Sequence, residues 1–144
     1  MAYRVTTSRR RGRGEPGAFS WPAILVGVLL ILIGLAIIAY WVDFIYRGNM
    51  PEGLWTMVNG QYIVFHQAAE GLMAVLAIVG GLGLLAGRGW GMATSLAALG
   101  ALLYTSVNSL AFSLVSAPTL VPIFLALLGT VLLCFLALHW SRRY

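Results

Sequence analysis

The chain has 144 residues, of which 60% are hydrophobic and only 9% charged, with a formal net charge of +5. Soluble domains carry about a quarter charged residues, so this chain has too little polar surface to cover a globule in water, and lipid is the expected solvent for most of it. The basic balance does not point to nucleic acid, because Arg9, Arg10, Arg11 and Arg13 sit just ahead of the first apolar run, where they serve membrane orientation.

Residues 1–19 read as an arginine-rich cytoplasmic tail, poor in apolar side chains and expected to be disordered on its own. Residues 20–144 read as one membrane domain. A membrane helix needs about 20 mostly apolar residues to cross about 30 Å of hydrocarbon, and four segments qualify. The first runs from Trp21 to Trp41, with Ser20 as N-cap and Pro22 in the first turn, where a missing N–H costs nothing. Arginines followed by an apolar core also open cleaved signal peptides. This core is long for that purpose, however, and no clean small-x-small site follows it, so an uncleaved helix is expected. The second span runs from Tyr62 to Ala86, the third from Trp90 to Phe112, and the fourth from Thr119 to Trp140 with Pro122 in its first turn. Trp21, Tyr40, Trp41, Trp90 and Trp140 fall at span ends, as interfacial aromatic belts require.

Between the spans, GRGWG and SLVSAPTL are short enough to force antiparallel neighbours, which predicts an all-α, up-down bundle of four transmembrane helices. The link from Val42 to Gln61 is longer and contains a turn, with Leu54 to Val58 a candidate short helix on the outer surface. Arginines weight one side: the tail, Arg88, Arg142 and Arg143 lie there, against Arg47 with Asp43 and Glu52 on the other. The positive-inside rule therefore puts both termini in the cytoplasm of a multi-pass plasma (inner) membrane protein. Small residues recur at helical spacing (Ala93, Ala97 and Ala101 beside Gly100; Ala77 and Gly81; Gly83 and Gly87), which suits either internal packing or a face for another helix, in a homo-oligomer or with a second membrane protein.

The chemistry-bearing residues gather at one depth. At ~1.5 Å per residue Glu70 lies ~26 Å above the Arg88 turn, level with Ser106. Tyr104 and Asn108 flank that height, His66 is one turn further out, and on span one Tyr40 reaches a similar height with Asp43 just beyond. His66 and Glu70 share one face of span two, and Tyr104 and Asn108 one face of span three, because each pair is four residues apart. An ionisable group within a span is costly and normally faces the bundle interior or water. Glu70 is expected to accept from His66, Tyr104 or Asn108 as a polar tie between helices. Asp43 is expected to end span one in water, and His139 to sit at the interface beside the last arginines.

No cofactor is implied. His66 and Glu70 offer two metal donors where a stable site wants at least three. Single Cys134 rules out an internal disulfide and a multi-cysteine centre. The GGLGLLAG run lies inside a span without a following Lys-Ser/Thr, and no serine stands in a nucleophile elbow. The four short-looped helices with cytoplasmic termini resemble, in layout alone, small bacterial inner-membrane proteins such as the DoxX-like group; the resemblance implies no residue roles. The expectation is a non-enzymatic accessory, scaffold or structural component of a prokaryotic plasma membrane. Its rival is a binding or transport protein taking a lipid, quinone or small solute in an outer-side cavity around Glu70.

Overall fold

A computed structural model describes residues 20–47 and 58–141. Helix α1 spans Trp21–Tyr46, α2 Val58–Leu85, α3 Gly89–Ser116 and α4 Val121–Ser141, with a 3₁₀ turn at Pro118–Leu120 before α4. There is no strand among the described residues. All four helices contain a segment long and apolar enough to cross a membrane. The arginine-rich tail and the candidate short helix over Leu54 to Met57 lie outside the described residues; Val58, its expected last residue, is the first residue of α2.

The helices run past the apolar segments at several ends. Helix α1 continues from Trp41 to Tyr46, and α3 from Phe112 to Ser116. A hydrophobic run marks where the hydrocarbon lies, whereas the backbone keeps its intrahelical bonds into the polar zone. At the end of α1 an exposed ion pair helps: Arg47 Nε donates to Asp43 Oδ1 at 2.9 Å, one turn back. Asp43 therefore braces the last turn of α1 from outside.

Each helix packs on its two neighbours in a closed ring, α1 on α2 and α4, and α3 on α2 and α4. Glycines set the closest approaches. Gly27 of α1 faces Gly81 of α2, and Gly34 faces Ala74, so the two helices cross antiparallel with backbone almost touching backbone. On the next seam Gly80 lies against Ser95, and Gly83 against Gly91 and the Trp90 ring. Thus Ala77, Gly81 and Gly83 serve packing inside the bundle. Ala93, Ala97 and Gly100 of α3 lie on the exterior, and a Cβ built on Gly100 meets nothing.

The turn from α2 to α3 follows from one residue. Gly87 adopts φ 63°, the left-handed conformation that side chains resist. Its N–H donates to Leu84 O at 3.0 Å and that of Arg88 to Gly83 O at 2.9 Å, which caps the last carbonyls of α2 and reverses the chain.

The interior is small and apolar, built from Val26, Leu30, Met73, Ala77, Leu99, Leu102, Val131, Cys134 and Leu138. Large apolar side chains such as Leu32, Leu35, Leu72, Leu133 and Leu136 point outward. Hydrocarbon is the surrounding that suits such an exterior.

Candidate functional site

The site begins with the face that each helix buries. On α1 the buried stripe is Val26, Gly27, Leu30 and Gly34, and Trp41 stands seven residues, about two turns, beyond Gly34 on that same stripe. On α2 the buried stripe is Glu70, Met73, Ala74, Ala77, Gly81 and Leu84. The glycine crossing sets the register, pairing Gly34 with Ala74 and so bringing Trp41 toward the turn that holds His66 and Glu70.

There the indole Nε1–H of Trp41 donates to Glu70 Oε2 at 2.5 Å. The other oxygen, Oε1, lies 3.3 Å from His66 Nε2 on its own helix, so both carboxylate oxygens face a donor. The Glu70 residue is 9% exposed, and the Trp41 and His66 rings meet edge to face with centroids 6.0 Å apart. Tyr40 and Phe44 each meet the Trp41 ring edge to face, and their own rings lie tilted against each other. A carboxylate in such surroundings is costly unless it is hydrogen-bonded. Here one bond comes from another helix, so Glu70 ties α1 to α2.

The expected partner from α3 is not there. Tyr104 is 75% exposed and points away from the bundle. The reason is angular: Tyr104 is seven residues from Ala97 and shares its outward stripe, while the buried stripe runs through Leu99, Leu102, Ser106, Ser109 and Ser113. Asn108 is half-buried between these two faces. At the level of Glu70 the inward residue of α3 is Ser106, whose hydroxyl donates back to Leu102 O at 2.6 Å; Ser113 does the same to Ser109 O at 2.7 Å. These hydroxyls are satisfied within α3. Asp43 is exposed and engaged with Arg47, one turn beyond the tie. Of the five residues singled out from sequence, the structure brings together Glu70 and His66.

Trp41 is the participant missed from sequence, where it counted only as an interfacial aromatic. Its signal was present in the seven-residue step from Gly34, the second of two glycines seven apart on one face of α1. Among the described residues no third His, Cys, Asp or Glu joins His66 and Glu70. Chemically the arrangement holds a carboxylate in place.

A family described as a domain of unknown function, DUF8058, matches residues 23–144, and the chain belongs to it. The match takes in α1 from its third residue and the whole of α2, α3 and α4. No curated protein and no solved structure matches the chain.

Proposed function

We propose that this member of the DUF8058 family is a non-enzymatic accessory or scaffold component of a prokaryotic plasma membrane, inserted as an up-down four-helix bundle with both termini in the cytoplasm. The observation that carries the reading is the closure of Glu70: a donor from α1 and one from its own helix meet its two oxygens, leaving the carboxylate committed to holding helices together. A scaffold also needs a face that another membrane helix can approach. The exposed Ala93, Ala97 and Gly100 of α3 offer one, because small side chains let helix backbones come close in lipid. The distribution of arginines supports the orientation.

The test is flux. Purified protein is reconstituted into liposomes carrying an internal pH dye, and proton movement under an imposed gradient is compared with empty vesicles. The scaffold reading expects identical traces for the wild type and for Glu70→Gln. A flux present in the wild type and abolished by Glu70→Gln would replace it with the transport reading.

A further inference from the structure

The exposed pair of Asp43 and Arg47 keeps its charges in the open, where they are screened and cost little. Glu70 is placed differently. Its side chain is 11% exposed, and the nitrogen 3.3 Å from Oε1 belongs to His66, whose side chain is 25% exposed. His66 stands two residues inside the end of the apolar segment Val64–Leu85, so the carboxylate is shut in while its neighbour sits at the membrane boundary.

The groups that face this pair come from three other helices. From α1 comes Trp41, with Tyr40 and Phe44 packed on its ring, while Asp43 and Arg47 engage each other one turn beyond. Helix α3 turns Ser106 inward, with its hydroxyl donating to Leu102 O, and turns Tyr104 outward. The half of α4 nearest this end, Val121 to Thr130, carries no titratable side chain. Among the described residues, His66 is therefore the titratable group that faces Glu70.

The proton on the imidazole decides the charge of the cluster. With it, the ring presents both a positive charge and an N–H to Oε1, and the pair is neutral overall. Without it, a nearly buried carboxylate loses its counter-charge, which is costly. Relief comes from withdrawing the carboxylate toward water and away from Trp41. That frees the end of α1 beyond Gly34, while the uncharged contacts of Gly27 with Gly81 and Gly34 with Ala74 hold the rest of the seam.

We propose that Glu70 and His66 form a proton-sensitive latch: the pair holds one proton between them and clamps the end of α1 to α2 through Trp41, and the clamp opens when that proton leaves. In the orientation proposed above, the latch answers to pH outside the cytoplasm. The proposal rests on the Glu70 tie that supports the scaffold reading, and adds that the tie is conditional.

The Trp41 indole N–H reads the latch by NMR. The full chain is labelled with ¹⁵N-tryptophan in detergent micelles, and the Trp41 signal is identified by its loss in Trp41→Phe. The sample is titrated from about pH 5 to 8, the range in which histidine changes charge. The Trp41 signal should move in a single step in the wild type and stay still in His66→Gln. In Glu70→Gln, which keeps an acceptor without a charge, it should move far less. Thermal unfolding carries the sign. The ion pair exists only with the ring protonated, so what it adds is present in acid and lost as the pH rises. Glu70→Gln should therefore melt below the wild type near pH 5 and converge with it near pH 8. A wild-type Trp41 signal unmoved by pH, or one that moves equally in a folded His66→Gln protein, overturns the latch. The two readings fail separately. A signal shifted by Glu70→Gln but indifferent to pH leaves the tie and removes the latch, whereas indifference to both removes the tie as well.

Discussion

Glu70 is worth most as half of a pair. If the carboxylate is a tie, the hydrogen-bonding shape matters more than the charge, and Glu70→Gln keeps an acceptor for the Trp41 indole. Glu70→Leu removes it and leaves that half-buried N–H without its acceptor. In detergent, Glu70→Gln should therefore unfold close to the wild-type temperature, while Glu70→Leu should lose about 0.5–2 kcal/mol, the range of interhelical hydrogen bonds in membranes. Trp41→Phe should cost a similar amount, and the double variant Trp41→Phe with Glu70→Leu less than the sum, because the two share one bond. Strict additivity in that cycle would separate Trp41 from Glu70 and dissolve the tie. The part of this site open to reading from sequence was its depth and the His66–Glu70 spacing, since rise per residue and the 3.6-residue period are properties of any helix. Its cross-helix partner was not open in the same way. Tyr104 sits at the right height but on the outward face of α3, and height alone carries no information about which way a helix is rotated about its axis.

At the scale of the helices, glycine placement decides which seams are tight. A Cβ added to Gly81 would meet the carbonyl oxygen of Gly27 at 2.5 Å and Ile31 Cγ1 at 2.8 Å, so α1 would have to move off α2. Gly81→Ala should destabilise by about 1–3 kcal/mol, the usual cost of overpacking. Gly100→Ala provides the contrast: its Cβ meets nothing, and alanine is the better helix former by ~1 kcal/mol, so stability in detergent should hold or rise. Reversible unfolding of the two variants in mixed micelles distinguishes them, and equal losses would place Gly100 in a contact that the bundle itself does not make. The four apolar runs and their antiparallel order were readable because hydrocarbon thickness fixes the length of a span and short links fix its neighbour. The helix ends beyond Trp41 and Phe112 were not, since helices continue into the polar zone wherever side chains such as Asp43 and Arg47 brace the last turn. Nor did the spacing of Ala93, Ala97 and Gly100 say inside or outside: small residues in a row suit a buried seam and a bare face equally.

For the whole molecule, the ring of antiparallel helices places Ser20, the Arg88 turn and Ser141 at one end, with Arg47 and the 3₁₀ turn at the other. The bundle itself has no preferred direction across a bilayer. The direction must come from charge: of the described arginines Arg88 lies at the end that holds Ser20 and Ser141 and Arg47 at the other, and in the sequence the remaining seven stand before α1 or after α4. The native thiol helps to test this, because Cys134 is only 2% exposed and should stay silent toward a membrane-impermeant maleimide. A new cysteine at either exposed arginine then reports its own side. Arg47→Cys should label in intact cells, and Arg88→Cys only after the membrane is opened. With that result the Glu70–Trp41 tie lies in the outer part of the membrane. The reverse labelling pattern would invert the molecule. It would move the tie to the cytoplasmic side and show that something other than the arginine count orients the bundle.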